Sequence, residues 1–145
     1  MTRRQTHSSD RGAALVEFAV VVPVLLLLFA AMIDFGLLFQ RYLVLTNAAR
    51  EGARIAVLPG YFTPDVQARV TAYYRAGTNP DAPAPTTAVN RIDITTAGAP
   101  PFQAAEVTVT ATHTYLLLGS VGAFFGGGFG NITLGARAVM RVEGG

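Results

Sequence analysis

Cysteine and lysine are both missing from this chain of 145 residues, and only 14% of it is charged. Without cysteine there is no disulfide framework, no thiol nucleophile and no thiolate metal site, and the redox compartment is left open. Without lysine, all eleven basic residues are arginine. They do not gather into one basic patch, so they read as coding bias rather than as a nucleic-acid surface. Arg3, Arg4 and Arg11 outweigh Asp10 by two charges, while the eight arginines after Gly12 balance eight acids. A neutral body of this kind is not expected to bind nucleic acid. Histidine is scarce too. His7 precedes the apolar part of the chain, and His113 stands alone on a candidate strand, where it reads as a partly buried edge residue rather than a base or ligand. Asp34, Glu51, Asp65, Asp93 and Glu106 show no metal-ligand spacing, and Ser8, Ser9 and Ser120 sit in no nucleophile motif. No catalytic residue, metal site or cofactor is expected.

Apolar residues make up 51% of the chain. A basic leader, MTRRQTHSSDR, is followed by an apolar run from Ala13 to Ile33 whose one charge is Glu17. Its 21 residues, at about 1.5 Å each, span the roughly 30 Å of a bilayer core. A carboxylate inside such a run is disfavoured by up to about 2.5–3.5 kcal/mol at mid-membrane, and so calls for a partner. Four residues earlier on the helix lies Ala13, whose amine becomes a free cation if the chain is cut after Gly12. A small residue before the cut, a glutamate at the fifth position after it and an apolar helix behind resemble a class III prepilin-peptidase site. Phe18 stands where Flp-type pilins usually carry tyrosine, which points toward minor pilins.

The arginines of the leader predict a cytoplasmic N-terminus, with everything after Phe39 outside. A conventional secretory signal would have an apolar core of about 7–15 residues and a cut after it; this core is longer and carries a glutamate near its start. An uncleaved signal anchor remains the alternative. Pro23 removes the bond to the Ala19 carbonyl and predicts a kink, though proline is tolerated in spanning helices.

Helical spacing continues through Leu38, Tyr42, Leu45, Ala49, Ala53 and Ala56, with Asn47, Arg50, Glu51 and Arg54 on another face. Pro59-Gly60 stops it. An unbroken helix over 13–58 would be about 69 Å long, with half of it above the bilayer. Ala49, Gly52, Ala53 and Ala56 form a face of small residues. Glycine in an exposed helix costs about 1 kcal/mol relative to alanine, so close packing should compensate at Gly52. Two partners fit that face: a globular head, or another helix in a filament.

The order RGAALVEFAVVVPVLLLL, IDFGLLFQRYL, NAAREGAR resembles the TadE family, minor pilins (pseudopilins) of the tight-adherence, or Tad/Flp, branch of type IV pili. The resemblance covers residues 11 to about 56. It implies cleavage between Gly12 and Ala13 by a prepilin peptidase, docking through Glu17 and Phe18, and a motif at Asn47, Arg50, Glu51, Gly52 and Arg54. The implied partners are that peptidase, other Tad minor pilins, the major Flp pilin, an inner-membrane assembly platform and membrane lipid. A type II secretion pseudopilin is a weaker reading, since those carry phenylalanine straight after the cut, where this chain has Ala13.

The remainder predicts an α+β head over 59–145, after the leader at 1–12 and the helix at 13–58. Thr63 is the expected N-cap of a short helix burying Val66, Val70 and Tyr73 and ending at Gly77. A proline-rich loop over 78–88 precedes a short strand at 91–95, with Ile92 and Ile94 inward. Val107, Val109, Ala111, His113 and Tyr115 alternate with threonines in the clearest strand, 106–115, and a last strand is expected at 132–142. Between them, GSVGAFFGGGFG at 119–130 has no lysine and opens no helix in the manner of a phosphate loop. It reads as a flexible loop with Phe124, Phe125 and Phe129 tucked into the core, or as an exposed apolar contact for a neighbouring pilin or the membrane surface.

Overall fold

The computed structural model describes residues 7–95, 101–124, 126–127 and 130–142. It is an α+β arrangement of one long apolar helix, two shorter helices and a three-stranded antiparallel sheet. Helix α1 runs from His7 to Ala56, through Pro23 without a break. Helix α2 spans Thr63–Gly77, strand β1 Thr86–Ile94, strand β2 Phe102–His113, helix α3 Leu117–Phe124 and strand β3 Ile132–Arg141. The chain divides into two compact units: Met1–Gly36 with Tyr115–Phe129, and Leu37–Thr114 with Gly130–Gly145.

The second unit holds the core. Antiparallel pairing sets Val107 opposite Val89 on one side and Ala138 on the other, so β2 is the central strand. Period-two alternation buries Ala105, Val107 and Val109 on one face of β2. With Leu134 and Ala136 of β3 they form one cluster with Leu45, Ala48, Ala49 and Ala53 of α1 and Val66, Val70 and Tyr74 of α2. Outside that face, Arg137 pairs with Glu106, and the Arg141 guanidinium lies 4.6 Å from the Phe102 ring centroid.

Several local expectations are corrected. Tyr42 is largely exposed, and Ala48 is buried in its place on the packed face of α1. The N-cap of α2 is Phe62, not Thr63, and the Asp65 carboxylate accepts the Phe62 N–H at 2.9 Å. Tyr74, four residues after Val70 on the same stripe as Val66, is buried in place of Tyr73. Gly77 is the last residue of α2 and the C-cap is Thr78. A Cβ on Gly77 would meet the Val44 Cγ atoms at 2.7 and 2.9 Å, so close approach, not a left-handed cap, requires glycine there. Strand β1 begins at Thr86, inside the expected proline-rich loop, because Thr86 to Val89 pair with Val107 to Thr110. His113 is buried at the end of the central strand rather than half-buried at an edge, and Tyr115 lies beyond that strand. Ile132 is exposed at the end of β3. The expected loop at 119–130 is helical up to Phe124; the side chains of Phe124, Phe125 and Phe129 lie outside the described residues.

Candidate functional site: the long helix and its anchors

Between Gly12 and Ala56, α1 contains an 18-residue window of mean hydropathy 2.7, of which 6% is buried. By length and composition this helix is able to cross a membrane. Gly12, Ala13, Glu17 and Phe18 are all exposed along it, and a Cβ on Gly12 would meet nothing within 4 Å. The positions expected to be cut and to dock therefore face outward from the subunit.

The segment Asn47–Arg54 is split between two surroundings. Asn47, Arg50 and Arg54 are exposed, while Gly52 is buried and the Glu51 side chain is only 16% accessible. Glu51 receives Arg54 from the next turn at 2.9 and 3.0 Å, and Arg69 from α2 at 3.0 and 3.1 Å. The Arg54 hydrogen bond is the main reason that its carboxyl is lowered to about 2; Arg69 adds to this against the opposing effect of burial. Arg69 is the partner that sequence reading missed. It follows Val66 by three residues and precedes Val70, so it flanks the buried stripe of α2. Beneath this pair, a Cβ on Gly52 would lie 2.6 Å from Val70 Cγ2, 3.1 Å from Val107 Cγ1 and 3.5 Å from Val66 Cγ1. The small-residue face thus packs on the head of its own subunit, the first of the two partners that fitted it.

Asp34 is the second anchor, in the unit that contains the apolar half of α1. The structure buries it completely. Its carboxylate accepts the backbone N–H groups of Leu116 at 3.1 Å, Leu117 at 3.0 and 3.2 Å, and Leu118 at 2.7 Å. The Leu117 and Leu118 amides open the first turn of α3, where a helix leaves its amides without intrahelical acceptors, and Leu116 directly precedes it. Tyr115-Leu116-Leu117 offers no capping side chain of its own, so the acceptor comes from 82 residues away. A leucine run with no local cap was the available signal, masked by the glycines that follow it.

Among the described residues, no group of three histidine or acidic side chains comes together to hold a metal. An open depression of about 300 Å³ beside Arg41, Tyr74, Asn79, Asp81 and Thr110 offers one cation and one carboxylate to solvent. No curated protein and no solved structure matches the chain. Residues 12–54, the stretch that bears Glu17, Asp34 and the Glu51–Gly52 packing face, match the family model described as TadE-like protein.

Proposed function

We propose that the chain is a minor pilin (pseudopilin) of the Tad/Flp adhesive pilus, acting by assembly and not by catalysis. The observation that carries this reading is the coincidence of the TadE-like match with an exposed apolar helix whose one charge between Ala13 and Ile33 is Glu17. A prepilin peptidase cuts between Gly12 and Ala13 on the cytoplasmic side of the inner membrane. The new amine of Ala13, in the same chain or in a neighbour, then neutralises Glu17. Removing an unpaired charge from lipid favours one docking register over others. Phe18 supports that contact, and the exposed Asn47 and Arg50 offer polar contacts to other minor pilins, the Flp pilin or the assembly platform.

A second reading has one observation in its favour: α1 is helical from His7 through Gly12 and Ala13, so the bond to be cut lies within a helix. An uncleaved bitopic protein presenting a small extracytoplasmic head needs no such cut. Intact mass and N-terminal sequence, measured on membranes with and without the prepilin peptidase, separate the two. A mature chain starting at Ala13 only when the peptidase is present is the expected result. A mass indifferent to the peptidase gives the uncleaved reading.

A further inference from the structure

We infer that α3, with the turn that closes it, is a second membrane-embedded element, lying in the outer leaflet and tethered to the spanning helix by Asp34. This rests on the reading of α1 as a membrane span. The occupant of its exposed face is lipid acyl chain.

Backbone polar groups in lipid have no water to turn to, so a helix that lives there must satisfy both of its ends internally. Helix α3 does so. At its N-terminus, three consecutive amides are taken by Asp34. At its C-terminus, Gly127 N–H donates to the Gly122 carbonyl at 3.0 Å and Gly126 N–H to the Ala123 carbonyl at 3.3 Å. Gly126 has φ +73°, the left-handed residue that this Schellman closure requires. The one hydroxyl in the helix, Ser120, donates to the Leu116 carbonyl at 3.1 Å.

Composition agrees. From Tyr115 to Gly130 there is no charged residue. The face formed by Leu116, Ser120 and Ala123 is exposed, and Leu116 is 64% accessible. Helix α2, in the other unit, is built differently: it carries Asp65, Arg69 and Arg75. Depth agrees as well. Asp34 follows Ala13 by 21 residues, or about 30 Å along the helix, which is the thickness of the hydrocarbon core. Asp34 therefore stands at the outer edge of that core, where three amides match its carboxylate. The apolar surface of α3 therefore continues the lipid-facing surface of α1 within the same compact unit.

The absence of cysteine makes the test direct. Single-cysteine variants Ser120→Cys, Leu26→Cys and Arg91→Cys of the full chain are labelled with an environment-sensitive fluorophore. They are reconstituted in phosphatidylethanolamine–phosphatidylglycerol vesicles with or without lipids carrying acyl-chain nitroxides. The label at Leu26 reports the span and the one at Arg91, exposed on β1, reports water. Ser120 should be blue-shifted and quenched several-fold more than Arg91. In an Asp34→Ala background, Ser120 quenching should fall toward the Arg91 level while Leu26 is unchanged. Quenching at Leu26 with a water-like Ser120 overturns the proposal and leaves the span intact; no quenching at Leu26 removes both. Efficient Ser120→Cys disulfide crosslinking between copies without acyl-chain quenching assigns the face to a second subunit and overturns it too. Full quenching at Ser120 in Asp34→Ala overturns the tether.

Discussion

Gly52→Ala adds a single methyl group, and two opposed physical effects make its outcome decisive. On a solvated helix the change stabilises by about 1 kcal/mol, because alanine loses less conformational freedom than glycine. In this structure the added Cβ meets Val70 Cγ2 at 2.6 Å and Val107 Cγ1 at 3.1 Å. Carbon atoms pack best at roughly 3.5–4.0 Å, so α2 must move from α1 by about 1 Å or Val70 must leave its rotamer. Valine is stiff at χ1, and Val66, Val70 and Val107 are all essentially fully buried, so neither escape is easy. Overpacking of this kind typically costs about 1–3 kcal/mol, with the larger side chain of Gly52→Leu toward the upper end or beyond. The net expectation for alanine is a loss of roughly 1 kcal/mol after the propensity gain. For a head of this size that lowers Tm by about 4–8 °C. Thermal unfolding of the detergent-solubilised full chain, followed by the near-ultraviolet tyrosine signal, is the assay, with limited proteolysis as a check. The double variant Gly52→Ala/Val70→Ala should show a favourable coupling of about 1 kcal/mol, because removing the Val70 methyls relieves the shortest contact. A Gly52→Ala head that melts at or above the wild-type temperature would refute the packing argument and return this face to the filament.

Gly77→Ala should lose about 1–2 kcal/mol through contact with Val44, whereas a solvated helix end would gain; chemical denaturation of the solubilised chain distinguishes them. Glu51, with its carboxyl lowered from 4.5 to about 2, contributes stability that is fully present above pH 4.5 and is lost as pH falls toward 2. Because Arg54 and Arg69 are more than half exposed, the contribution is at most about 1 kcal/mol; Glu51→Gln should flatten the stability profile between those pH values, and an unchanged profile would show that the pair is inert. Glu17→Ala should leave insertion and cleavage intact while reducing crosslinking to partner pilins, and normal crosslinking and piliation in that variant would remove the docking role.

The long apolar helix, the small-residue face and the strand alternation were legible because each is a pattern carried by residues a few positions apart. The run from Ala13 to Ile33 needs only its length and hydropathy to be read as a membrane helix. The threonine–valine alternation of β2 needs only the period-two geometry of a strand, and its inner residues Val107 and Val109 are buried as expected. The resemblance at NAAREGAR likewise rests on an ordered local motif, and the family match at 12–54 covers it.

What the sequence could not decide lies wherever a group's partner is distant along the chain. Gly77 looks like a helix cap until Val44 is seen against it, and Glu51 looks like a helix-surface acid until Arg69 arrives from α2. Asp34 and α3 are the clearest case. The leucine run at 116–118 has no capping residue beside it and is followed by glycines, so local propensity argues for a loop. The helix forms there with its first amides on a carboxylate 82 to 84 residues earlier. Periodicity is a property of neighbours and was determined by the sequence itself; the satisfaction of a buried charge and of orphan amides by each other is a property of folding, and tertiary structure alone decided it.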